Sequence, residues 1–172
     1  MADGRVTYAA EGEWNVLRYF GRVDYTMAPA IERFIDGLPH GPTDVVRPFL
    51  FDLSAARLLD STNLGLIARV VERSRAQGAG RSSVLSQCGD IDDVVRSMGF
   101  EAIVDLISQR PGSVRDGASC SDQEVVTDET ASQGEMLRTM LEAHRALDGL
   151  DDEETGQWRD VVTMLEAEMR TR

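Results

Sequence analysis

The chain has 172 residues, 42% of them apolar, enough for one globular domain with a core and an appendage beside it. A net charge of −12 argues against nucleic acid as a main partner. No apolar run approaches the length of a membrane span, and the opening Met-Ala-Asp-Gly-Arg has neither the basic nor the apolar region of a signal peptide, so a cytoplasmic location without membrane insertion is expected.

The charge is unevenly spread. Residues 1–111 carry 15 acidic and 12 basic side chains, a net of −3, whereas residues 112–172 carry 15 and 6, a net of −9. The C-terminal third is either a solvated helical appendage or an acidic surface aimed at a basic partner. Every basic residue is arginine. That excludes a P-loop, which needs a lysine to reach nucleotide phosphates. Asp52 suggests the phospho-acceptor of a two-component receiver domain, but such domains use a lysine near the end of a later strand, and this chain has none. Cys88 and Cys120 have no metal-ligand spacing, and a structural disulfide is not expected.

In chain order, Val6 to Ala10 and Trp14 to Phe20 alternate or run apolar around Glu11-Gly12-Glu13, and the pattern predicts a β-hairpin. Met27, Ile31, Phe34, Ile35 and Leu38 keep helical spacing, with Pro29 placed in the first turn, where proline is tolerated. Pro39-His40-Gly41-Pro42 ends that helix in a loop. Arg47 to Leu53 is the most apolar strand, expected at the centre of a sheet. A helix from Thr62 to Gln77 separates Leu64, Ile67, Ala68 and Val71 from Arg69, Glu72, Arg73 and Arg75. Gly78-Ala79-Gly80 breaks it, and Ser82 to Cys88 reads as a further strand. A short helix follows, capped by Asp90, with Ile91, Val94, Val95 and Met98 on one face and Gly99-Phe100 closing it. Ile103 to Ile107 is a last short strand or extended segment.

From 111 to 133 the chain is polar, acidic and poor in apolar residues, the composition of a linker. Two amphipathic helices are predicted in 134–172. The first carries Leu137, Met140, Leu141, His144 and Leu147. The second carries Trp158, Val161, Val162, Leu165 and Met169, after a start at Asp151 to Glu154. Together they form an αα-hairpin that cannot bury both stripes alone, so it must dock on the domain, on a copy of itself or on a partner.

The stretch Asp60-Ser61-Thr62-Asn63-Leu64-Gly65 carries the most functional information. It follows a buried strand and opens a helix, which puts Ser61 near unpaired backbone N–H groups and the positive end of the helix dipole. A phosphate there would add roughly −1.5 to −2 charges at a place that accepts them. Asp60, Ser61 and Thr62 are equally the residue types that cap a helix start. His40 reads as a loop histidine and His144 as a packed one, neither with a partner of the Ser–His–Asp or Cys–His type. Asp90, Asp92, Asp93 and the run Asp151 to Glu154 do not match a calcium loop, so no metal is expected.

These pieces resemble the STAS domain of bacterial anti-sigma-factor antagonists. The matching segments are Gly21-Arg22-Val23-Asp24, Phe51-Asp52-Leu53-Ser54, Asp60-Ser61-Thr62-Asn63-Leu64-Gly65 and Arg96-Ser97-Met98-Gly99-Phe100. The tail, with Leu141-Glu142-Ala143-His144-Arg145, is similar to that of proteobacterial members having a C-terminal helical extension. The resemblance implies an α/β STAS fold over residues 1–110, with a mixed four- to five-stranded sheet, a linker over 111–133 and a C-terminal αα-hairpin over 134–172. It implies a protein that is not an enzyme, needs no cofactor, and acts by partner switching. The unphosphorylated form would bind an anti-sigma factor that is also a serine kinase of the ATP-binding histidine-kinase-like type, and phosphorylation would release it. A metal-dependent Ser/Thr phosphatase would reset the switch. The implied acceptor is Ser61, with Thr62 as a secondary hydroxyl and Asp60 as support. Asp24, Asn63, Leu64, Gly65 and Ala68 would meet the partner. Thr62-Asn63 stands where the family usually has Ser-Gly. The alternative is a STAS scaffold or accessory subunit of a transport or signalling complex that works without phosphorylation.

Overall fold

The computed structural model describes residues 4–38, 46–125, 131–151 and 156–171. It is an α/β fold in which β1 (Arg5–Glu11) and β2 (Trp14–Val23) form the antiparallel hairpin, joined by a turn with Gly12 at φ 57. α1 (Ala28–Asp36) follows, with Pro29 in its first turn where no backbone donor is lost. His40 and its Pro/Gly neighbours lie outside the described residues. Next come β3 (Phe49–Leu59), α2 (Ser61–Ala76), β4 (Ser83–Leu85), α3 (Gly89–Ser97) and β5 (Asp105–Ile107). β2, β3, β4 and β5 are parallel neighbours. Gly99 adopts φ 77 after α3 and lets the fully buried Phe100 turn back into the core.

Among the described residues the sheet has six strands, not four to five. The order is β5-β4-β3-β2-β1-β6, where β6 is the two-residue strand Gln123–Glu124 paired with Thr7 and Tyr8. A two-residue polar strand has no hydrophobic alternation to betray it. β3 also runs six residues beyond Leu53, because β2 pairs alongside it to Val23↔Leu59, with register shifts on the way. Asp90 does not cap α3: Cys88 holds the cap position, and its own side chain makes no capping hydrogen bond.

Alternation along the strands divides the interior into two layers. Leu17, Tyr19, Phe51, Leu53 and Val84 face the helices and share the main core with Ile31, Ile67 and Phe100. Val16, Leu50 and Leu85 face the other way and meet Val114. The stretch 111–125 is thus a strap across the second sheet face. Its Val114 and Val125 are buried, and its Asp122 meets the buried Arg18 at 2.9 Å. Arg18 also meets Glu11 at 2.9 Å, and Arg115 reaches Glu11 at 2.8 Å and Asp122 at 2.9 Å. Burial pushes the Glu11 carboxyl up, but the Arg115 backbone amide and the Arg18 and Arg115 guanidiniums outweigh it and hold the group below its ordinary value.

The C-terminal hairpin is α4 (Gln133–Asp148) and α5 (Arg159–Arg170). α4 starts with a capping box in which Ser132 and Glu135 satisfy each other's backbone N–H groups. It lies on α2 and α1 as an outer layer, and Leu147 reaches the main core with no exposed surface. α5 rests on α4 and buries no residue fully; Met164 is 72% exposed. Its start is at Arg159, and residues 152–154 of the acidic run before it lie outside the described residues. Among the described residues no helix is long and apolar enough to cross a membrane.

Candidate functional site

β3 delivers its last residue, Leu59, to the sheet end, and a single residue, Asp60, separates strand from helix. Asp60 is extended (φ −85, ψ 171) and is the N-cap of α2. Its Oδ1 accepts from the Asn63 backbone N–H at 3.0 Å and from Asn63 Nδ2 at 2.9 Å. Ser61 is therefore the first helical residue, and its side chain is free of the capping work that Asp60 performs. Because Val23 pairs with Leu59, Asp24 leaves the neighbouring strand at the same sheet end as Asp60. Asp24 Oδ1 accepts from the backbone N–H of Thr26 at 3.1 Å and from its hydroxyl at 2.6 Å, which fixes the turn into α1.

Ser61 is half-buried, and its Oγ lies 3.0 Å from His144 Nε2. The other ring nitrogen, Nδ1, lies 2.7 Å from the Met140 carbonyl, which can only accept. Nδ1 thus carries the proton, and in the neutral ring Nε2 accepts from the Ser61 hydroxyl. The imidazole is 4% exposed and stands 5.5 Å, centroid to centroid, from the half-buried Trp158 ring.

The other residues singled out in the sequence are brought to this end of α2, and they are covered. Thr62, Asn63, Leu64, Gly65 and Ala68 are all buried. The polar and apolar positions of α2 do not simply divide between water and core, because the first half of the helix is packed on the sheet side and again under α4. The close approach occurs at Gly65, where a Cβ would sit 2.2 Å from the Ala143 carbonyl oxygen. Asn63 is fully buried, and its Oδ1 has no hydrogen-bond partner among the described residues. Polar clamps hold α4 in place. Arg69 joins Glu32 and Glu142, the Thr139 hydroxyl donates to Glu32 at 2.8 Å, and Arg33 meets Glu135 at 2.9 Å.

Sequence reasoning placed His144 on the stripe of a packed helix but missed its contact with Ser61, which spans 83 residues. The adjacent small residue, Ala143, is the sequence signal that could have located the closest contact. The pair has the composition of a nucleophile and base. A cleft of about 280 Å³ between α1, α2 and α4 is lined by Glu32, Arg33, Arg69, Glu135 and their neighbours, and neither Ser61 nor His144 opens into it. Among the described residues no cluster of three His, Cys, Asp or Glu side chains is arranged to hold a metal ion. Cys88 and Cys120 are both free thiols.

No family model matches the chain, and no curated protein matches it. The α/β architecture and the geometry around Ser61 therefore carry the functional argument.

Proposed function

We propose that this chain is a cytoplasmic anti-sigma-factor antagonist of the STAS type that acts by partner switching, with Ser61 as the control residue. In its unphosphorylated form it binds an anti-sigma factor that is also a serine kinase of the ATP-binding histidine-kinase-like type. The kinase transfers the γ-phosphoryl group of ATP to Ser61: the Oγ–P bond forms, the bond to ADP breaks, and the hydroxyl proton is released. The phosphorylated form lets the kinase go, and a metal-dependent Ser/Thr phosphatase restores the hydroxyl by hydrolysis. The chain itself is a binding switch rather than a catalyst and needs no cofactor.

One observation carries this reading. Ser61 stands at the first position of a well-capped 16-residue helix, one residue after the central strand β3, with Asp24 following the end of the adjacent strand. A dianion at that place meets the favourable end of the helix dipole and the unfavourable charge of Asp60, so it alters the packing of the first turns of α2, where Asn63, Leu64, Gly65 and Ala68 are buried. A penalty of about 3 kcal/mol changes binding more than a hundredfold. Thr62 is 3% exposed, which favours Ser61 over it as the acceptor.

The test is affinity capture from a lysate of the source cell with full-length Ser61→Ala and Ser61→Asp baits, read by mass spectrometry. A kinase-like anti-sigma factor retained by the Ala form and lost by the Asp form is the expected result. Equal recovery of one partner by both baits would remove Ser61 as the control point. The burial of Asn63, Gly65 and Ala68 favours a second reading, a STAS scaffold or accessory subunit of a transport or signalling complex, and equal recovery is its signature.

A further inference from the structure

We infer that the C-terminal hairpin is a latch on the switch surface, and that a phosphorylated Ser61 and a docked α4 exclude one another. The inference rests on the proposed role of Ser61 for its biological meaning, but its physical content concerns this chain alone.

The Ser61 hydroxyl proton is the one His144 Nε2 accepts, across 3.0 Å. A phosphoryl group takes that proton's place and puts phosphorus and three oxygens into the same gap. α4 cannot yield by sliding, because its backbone at Ala143 already touches Gly65 and Leu147 is anchored in the main core. Charge acts in the same direction. Residues 131–151 and 156–171 carry 7 acidic and 4 basic side chains, a net of −3, so the hairpin packed against the site is itself negative where the site would become a dianion. Asp60 adds a further negative charge beside it.

The surface beneath α4 is a helix-sized seat whose floor at Gly65 admits only a backbone or a small side chain. α4 is its resident occupant, and an external partner using Gly65 and Ala68 has to displace it. Undocking the latch is therefore needed for partner binding, while a phosphate on Ser61 expels α4 and, standing in the same seat, excludes an external helix for the same steric and charge reasons.

The test needs neither kinase nor partner. Phosphoserine is incorporated at position 61 during translation of the full chain, and hydrogen exchange is compared with that of the unmodified protein. The expected result is at least tenfold faster exchange of the α4 amides over 136–147, with β2 and β3 unchanged. Unchanged exchange, or slower exchange as His144 grips the phosphate, would overturn the latch. If protection is lost throughout the phosphorylated chain, a second comparison decides. Ser61→Cys is made with Cys88→Ala and Cys120→Ser, with and without Ala143→Glu, and alkylation of the introduced thiol by iodoacetamide is timed. A tenfold acceleration by Ala143→Glu supports the latch and an equal rate overturns it. A chain that passes these tests but shows equal capture by both Ser61 baits retains the latch and loses the partner-switching reading; the reverse pattern loses the latch alone.

Discussion

Gly65 of α2 and Ala143 of α4 meet backbone to backbone, so closely that a Cβ on residue 65 would lie 2.2 Å from the Ala143 carbonyl oxygen. That contact sets the distance between the domain and its C-terminal hairpin, and the Ser61–His144 hydrogen bond one helical turn away depends on it. Gly65→Ala forces α4 to shift, at an overpacking cost of about 1–3 kcal/mol that is offset in part by the better helix propensity of alanine. Urea denaturation is expected to show the loss. Hydrogen exchange should place it in α4 and not in the sheet.

Trp158 reports on the same dock, since its ring stands 5.5 Å from the His144 ring. In a Trp14→Phe background, His144→Ala is expected to shift Trp158 emission to longer wavelength as water enters. The variant should also lose about 1–3 kcal/mol through the missing hydrogen bond and the space left behind. An unchanged spectrum would show that the imidazole does not hold Trp158 in place.

Asp60 performs the capping of α2 through two hydrogen bonds to Asn63. Asp60→Ala is expected to cost about 1 kcal/mol, while Asp60→Asn, which keeps an acceptor, should cost much less. Equal costs for the two, measured by thermal melting, would mean that the carboxylate charge matters at this position and the cap does not.

The Glu11 carboxyl gives a pH dependence whose sign is fixed. Its value lies below that of an ordinary glutamate, so its interactions with Arg115 and Arg18 stabilise the fold above the unfolded value of about 4.3 and fade as pH falls through the lower folded value. Glu11→Gln should be less stable than wild type at pH 7, because it leaves part of the buried Arg18 charge uncompensated. Between pH 7 and pH 3 it should lose less stability than wild type does. Parallel acid limbs in the two denaturation series would remove Glu11 from the strap's pH response.

Arg18 and Asp122 show why that strap was not legible in the sequence. Arg18 sits in a strand between Leu17 and Tyr19, where an arginine reads as an outward residue, and Asp122 sits in a polar run that reads as linker. Their side chains are buried together because each, 104 residues from the other, arrives with compensating charge, supplemented by Glu11 for Arg18 and by Arg115 for Asp122. Periodicity windows hold no trace of such a pair, and β6 was missed for the same reason.

The sequence by itself determined what short-range chemistry controls. Apolar alternation marked β1 and β2, helical spacing with an early proline marked α1, and the Gly99-Phe100 stop closed α3. The sharp passage from β3 through Asp60 into α2, which puts Ser61 at a helix start, was equally legible, because a cap and the helix it opens lie within four residues of each other. The stripe on α4 showed that this helix must dock, but not where. The amphipathic face of a helix specifies burial and not the surface that supplies it. Only the tertiary structure decided that α4 lies on α2, because that choice rests on Gly65 accepting the Ala143 backbone and on Leu147 reaching a core built from distant strands.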